Sequence, residues 1–212
     1  MKQIYTVGHS NQSIEAFLAL LRAHSVEVVA DVRSRPYSAR FPHFSKDRLE
    51  AHLKAADIRY VFLGRELGAR RDEAECYVNG RASYERISKL PAFADGIKRL
   101  LIGAHKYRLT LMCAEHDPLT CHRTVLVCHE LKKHGILIKH ICRNGALEDH
   151  EQVEQRLLEE ELGGSDQIDM FAGTRNASEI LELAYEQRAS SIEYRREEHS
   201  DDHSDDRVHT EA

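Results

Sequence analysis

Between Cys113 and Arg123 the chain reads C-A-E-H-D-P-L-T-C-H-R, placing two thiols, two carboxylates, two imidazoles and a guanidinium close together. Glu115 can exchange a proton with a reacting group, and Cys121 beside His122 can serve as an activated thiolate nucleophile. Arg123 carries a permanent charge suited to phosphate or carboxylate. Two further groups share this character: Gly8-His9-Ser10, and Asp31-Val32-Arg33. If Asp31 and Glu115 come from neighbouring strands, one carboxylate can act as base and the other be kept protonated as acid. The candidate catalytic groups are therefore Asp31, Glu115, Cys121 and His122. The candidate substrate contacts are His9, Ser10, Arg33, Arg35, Tyr60, Glu66 and Arg123. Each has a plainer reading. Either carboxylate can cap a helix or pair with Arg33 or Arg123, Cys121 can be a small buried side chain, and Cys113 reads as core.

No metal and no cofactor are expected. The C-x7-C-H spacing matches no common zinc pattern, and adjacent residues on a helix diverge by about 100°, so Cys121 and His122 are not expected to share an ion. A Walker-type loop, a G-x-G-x-x-G turn and a G-x-S-x-G elbow are all missing, which excludes the usual phosphate-loop, dinucleotide and serine-hydrolase classes.

The elements that must position these groups follow from apolar periodicity. Strands are expected at 2–7, 26–30, 58–63, 109–112 and 136–141. Helices are expected from Ser13 over Ile14, Phe17, Leu18 and Leu21, from Ser45 to Leu53, over 84–102 with a break at Pro91, from Thr120 onward, and over 148–162. Thr120 is a good N-cap, which would put Cys121, His122 and Arg123 in a first helical turn whose free N–H groups attract anions. Residues 69–82 are polar and irregular and read as a lid or excursion. Strands alternating with helices imply an α/β class, here a single three-layer domain with a mostly parallel sheet of about five strands. His9, Asp31, Arg33, Glu66, Glu115 and Cys121 all follow strand ends, so one sheet edge should collect them.

The 212 residues contain no long apolar run and no charged-apolar-small leader, so no membrane partner and no export are expected. Five cysteines, an odd number without framework spacing, fit reduced thiols and a cytoplasmic location. The net charge of −5 is unevenly spread. Residues 163–212 hold 5 Lys/Arg against 13 Asp/Glu, or −8, and residues 1–162 hold 25 against 22, or +3. The mildly basic part carries Arg33, Arg35, Arg40, Lys46 and Arg48 interleaved with Tyr37, Phe41 and Phe44. That pattern suits phosphate tracking with base stacking, or equally a solvated loop whose aromatics tuck under the sheet.

These residues resemble the bacterial family known as domain of unknown function 488. The resemblance lies in T-V-G-H-S (6–10), D-V-R-S-x-P (31–36), R-Y-x-x-L-G (59–64), C-A-E-x5-C-H-R (113–123) and H-I-x-x-x-G (140–145). It spans roughly residues 3–162 and implies a single α/β domain, with His9, Ser10, Asp31, Arg33, Pro36, Glu115, Cys121, His122 and Arg123 as the marked positions. It implies little about chemistry.

The division expected is an α/β domain over 1–162 and an acidic tail over 163–212, with a helix across 177–196 and a disordered, low-complexity end. In the tail, Gln167-Ile168-Asp169-Met170-Phe171 looks like the pentapeptide by which bacterial replication and repair proteins bind the sliding clamp. The alternative is a hydrophobic latch folded back on the domain. The function expected is a DNA-associated hydrolase acting on a nucleotide or nucleic acid, recruited to the clamp. The alternatives are a cysteine-dependent transferase using Cys121 and a non-catalytic nucleotide-binding or adaptor module.

Overall fold

The computed structural model describes residues 2–163 and 176–196. Five short apolar runs form parallel strands: β1 (Gln3–Gly8), β2 (Val28–Asp31), β3 (Arg59–Phe62), β6 (Leu109–Cys113) and β7 (Leu137–Ile141). The sheet has a sixth strand, β8 (Leu147–Asp149), antiparallel to β7, and the order is β3-β2-β6-β1-β7-β8. A separate hairpin, β4 (Tyr77–Val78) and β5 (Arg81–Ala82), stands where an irregular lid or excursion was expected. Its turn is Asn79-Gly80 with φ of 50° and 73°, the left-handed pair that a two-residue hairpin requires.

Both faces of the sheet are covered. Helices α1 (Ile14–Ala23) and α2 (Lys46–Ala55) lay Phe17, Leu21, Leu49 and Leu53 on Tyr5, Val7, Val29 and Met112. On the other face α3 (Gly64–Leu67), α4 (Tyr84–Ser88) and α5 (Pro91–Lys106) bury Leu67, Ile87, Phe93 and Leu100 against Ile4, Val28, Ala30 and Leu111. Helix α6 (His129–Lys133) and α7 (His150–Leu162) complete that layer with Leu131, Val153 and Leu157. Alternate residues of β6 therefore serve opposite layers, as strand pleating demands. The α/β, mostly parallel three-layer architecture is the one expected. Among the described residues no helix is long and apolar enough to cross a membrane.

The tail helix α8 (Ala177–Ile192) starts at a capping box between Asn176 and Glu179 and buries Ile180, Ala184 and Tyr185 against the domain. It ends at Ile192 rather than 196. Residues 193–196 then run back along the hairpin. Ala82 N–H donates to Tyr194 O (2.9 Å), Arg196 N–H donates to Gly80 O (2.9 Å), and Tyr84 N–H donates to the Glu193 carboxylate (3.0 Å). The pentapeptide 167–171 and the end beyond 196 lie outside the described residues.

What positions the site is the insertion of β6 between β1 and β2. The chain leaves β1 and β2 toward one face and β6 toward the other, which opens a crevice at the carboxyl edge. Gly8 permits this crossing. A Cβ there would lie 1.8 Å from Glu115 O, so only glycine lets the post-β6 loop pass over the end of β1.

Candidate active site

After β6 the chain makes a short 3-10 turn, Pro118–Thr120, capped by the Asp117 carboxylate accepting from Leu119 N–H (3.0 Å). Cys121 is extended (φ −134°, ψ 134°), and the helix begins only after His122. Thr120 is thus not the N-cap expected from the sequence, because Pro118 closes its own turn first. The following residues, Arg123–Cys128, wind as a π-helix before α6, a local form often found at functional sites. The break turns Cys121 and His122 toward one centre instead of letting them diverge along a helix.

That centre holds Cys113, Cys121, His122 and Glu115. The Glu115 Oε2 lies 3.1 Å from Cys113 Sγ and 3.0 Å from Cys121 Sγ, and Cys113 Sγ lies 3.7 Å from His122 Nδ1. His122 Nε2 donates to Val32 O (2.9 Å), so Nδ1 faces the sulfurs with its lone pair. Cys113 is core, as its sequence suggested, at 2% exposure, and it also lines the cleft. It ends β6 and faces the cleft. Burial would raise both thiols. At Cys121 a hydrogen bond with Cys113, the Arg123 guanidinium and His122 prevail and hold it well below the usual thiol range. Burial and the neighbouring Cys121 push Cys113 up, and the same two causes raise Glu115. His122 is raised despite burial, by its contact with Cys121. The ligand atoms of Cys113, Cys121 and His122 all lie within 4.8 Å of one another.

Several expected roles change. Arg123 is 1% exposed and donates to Glu115 O and to His116 O (3.0 Å), so it braces the loop and offers nothing to a ligand. Asp31 is fully buried. It accepts from Arg33 N (3.1 Å), Nε (2.9 Å) and Nη2 (2.6 Å) and from the Tyr60 hydroxyl (2.8 Å). With those lone pairs used, Asp31 is no free base and forms no acid–base pair with Glu115; it orients Arg33. Tyr60 reaches the site only through Asp31, and burial and that carboxylate push its phenol far up. Glu66 is drawn aside into an ion pair with Arg99 of α5. Ser10, with φ of 48°, lines a shallower depression beside Arg40 and Phe41.

His9 does belong to the cleft. Its Nδ1 donates to Ser10 O (2.9 Å), its Nε2 accepts from Arg33 Nη1 (3.2 Å), and its ring stacks on Phe44 at 4.1 Å. Burial and Arg33 lower it to about 4, so the imidazole is neutral near pH 7. The cleft encloses about 500 Å³, within the range of small-molecule pockets, and is lined by Cys113, Glu115 and His122 together with Arg33, Arg35 and Arg70. Tyr37 stands at its mouth, 75% exposed, whereas Phe44 is core and Phe41 lies under Arg40. Tyr84 and Tyr194 form the far wall. Arg70, Tyr84 and Tyr194 come from remote segments and carried no local signal. Cys113 did, as the last residue of a strand on the carboxyl edge.

No curated protein and no solved structure matches this chain. A family model does match over residues 13–129, a span that runs from α1 to the start of α6 and contains Asp31, Arg33 and the whole Cys113–Arg123 loop. The chain belongs to the family described as domain of unknown function DUF488.

Proposed function

We propose that the cleft is an active site for hydrolysis or group transfer on a phosphate-bearing, nucleotide-class substrate. The observation that carries this reading is the union, in one cavity, of a reactive end, with the Cys113 thiol, an imidazole and a raised carboxylate over the buried Cys121, and a basic rim of Arg35 and Arg70 beside the Asp31-paired Arg33. The duties first read into Asp31 and Arg123 pass to other groups. Glu115 handles the proton, and Arg33, Arg35 and Arg70 hold the anionic part. Tyr37 offers an exposed ring on which a base can stack. A nucleic-acid end is the larger form of the same substrate class, and clamp recruitment through Gln167, Ile168, Met170 and Phe171 rests on the sequence pattern.

The test is a thermal-shift screen of nucleotides and phosphate esters followed by mass-spectrometric product analysis. Arg35→Ala and Arg70→Ala should each weaken binding about tenfold, the worth of one charge-assisted contact at the low end. No shift by any phosphate-bearing compound at millimolar concentration removes the reading. Binding without product marks a sensor or adaptor instead.

A second reading, transfer through a Cys121 thiolate, is favoured by the lowered thiol and opposed by its 1% exposure beneath Cys113. Alkylation of Cys121 no faster than a free thiol at pH 7 excludes it.

A further inference from the structure

We propose that Cys113, Cys121 and His122 bind a single divalent ion of the zinc class at the reactive end of the cleft, with an open coordination position. Ion binding stands on these three side chains; its part in catalysis rests on the active-site reading above.

The geometry is close to that of a loaded site. Tetrahedral zinc with Zn–S of about 2.3 Å and Zn–N of about 2.05 Å separates a sulfur and a nitrogen ligand by about 3.6 Å. Cys113 Sγ and His122 Nδ1 are 3.7 Å apart, and all three ligand atoms lie within 4.8 Å of one another. Small side-chain adjustments then complete three edges of a tetrahedron. The orientation is also fixed. Val32 O takes the Nε2 proton of His122, so Nδ1 is left to coordinate, the usual outer-shell device for a metal-bound histidine. Arg123 N–H donates to Cys121 Sγ (3.4 Å), and its buried guanidinium lies beneath, so charge on the sulfurs is compensated.

Two thiolates with one imidazole form a soft-to-borderline donor set that suits zinc and not magnesium or calcium. Three protein ligands are the number found in catalytic zinc sites, where the fourth position is left for solvent or substrate. Both sulfurs crowd a single oxygen, Glu115 Oε2. Ligation displaces the Cys113 proton to solvent and releases that oxygen. Glu115 then stands beside the ion as the group able to accept a proton from whatever fills the open position.

The experiment uses the full chain, reduced and stripped with chelator, then titrated with Co²⁺ and Zn²⁺. The expected result is one Co²⁺ per chain, a sulfur-to-cobalt charge-transfer absorption, and displacement by Zn²⁺. Cys113→Ser, Cys121→Ser and His122→Ala should each lower affinity at least about tenfold, while Cys142→Ser and Glu115→Gln should retain the ion. Because buried cysteine variants can unfold, circular dichroism accompanies each titration. Independently, Zn²⁺ should raise the melting temperature of the wild-type chain. The inference is overturned if the folded, reduced wild-type chain shows no charge-transfer absorption and no melting shift. It is equally overturned if Cys121→Ser leaves the cobalt spectrum unchanged, or if Cys113 and Cys121 are recovered as a disulfide under reducing conditions. Turnover of a phosphate ester that persists in chelator overturns the ion's part in catalysis and leaves the active-site reading intact. Stoichiometric zinc with no ligand and no product does the reverse.

Discussion

Two buried polar networks cross this molecule, and they are finished in opposite ways. Under α8, the Thr6 hydroxyl donates to His140 Nδ1 (2.8 Å) and His140 Nε2 donates to His150 Nδ1 (3.0 Å). His150 Nε2 donates to the Tyr185 oxygen (3.3 Å), and Tyr185 donates to Glu154 (3.1 Å), whose other oxygen pairs with Lys132. Every proton points one way, and both imidazoles must be neutral for the series to close. At the cleft the accounts are open. Two sulfurs crowd one carboxylate oxygen, at 3.1 and 3.0 Å, and His122 Nδ1 faces sulfur instead of an oxygen or nitrogen partner. A saturated network clamps elements together, and an unsaturated one is left ready for something that is not protein.

This contrast can be broken by acid. Burial holds His150 at about 4 and places His140 well below its ordinary 6.5. Above pH 6.5 neither folded nor unfolded chain carries the extra proton at His150, and the contribution to stability is complete. As pH falls from 6.5 toward 4, the unfolded chain takes up a proton that the folded chain refuses, and stability is lost. For His150 alone the loss is about 3 kcal/mol. The unfolding free energy from urea titrations across that range should fall by at least this amount, since His9 and His129 are also lowered to about 4, and that of a His150→Gln chain should fall by less. Equal slopes would show that the imidazole is not held neutral.

Next in size is Tyr185→Phe, which strands the His150 N–H and one Glu154 oxygen. It should cost about 1–3 kcal/mol. A change below about 0.5 kcal/mol would mean that the network is not a clamp. The cleft should answer differently to the same kind of insult. Glu115→Gln relieves a buried carboxylate, so stability should stay within about 1 kcal/mol of wild type. Turnover of a phosphate-bearing substrate should drop about 100-fold or more, as loss of a proton-transfer group does. Large destabilisation with little kinetic effect would put Glu115 in the structural class instead. Smallest for the fold is Phe171→Ala. It should leave the urea midpoint unchanged and abolish capture of the chain by the sliding clamp. Capture that persists would show that the pentapeptide is not the contact.

The architecture was largely legible because buried parallel strands announce themselves as short apolar runs, as in Leu109–Cys113 and Leu137–Ile141. Strand β8 was not, since Leu147-Glu148-Asp149 has a single apolar residue and takes its partner from β7. The hairpin was legible in principle through Asn79-Gly80, but strands of two residues leave no periodicity to find. At the site, strand ends correctly drew together His9, Arg33, Glu115, Cys121 and His122. What failed was direction. Asp31 turns onto its own neighbour Arg33, and Arg123 turns inward to carbonyls. Such choices depend on which partners the folded chain brings near, and nothing in local spacing records them.

The wall formed by Tyr194 ties two equilibria together. Tyr194 and Ile192 line the cleft, and α8 is seated through Tyr185 on the histidine series. Whatever occupant presses on Tyr194 therefore resists detachment of α8, and by reciprocity a firmly seated α8 favours the occupant by the same free energy. Protonating His150 would weaken that seat from behind, so acidification should loosen the grip of the cleft through α8 as well as through His9, which burial lowers to the same value of about 4.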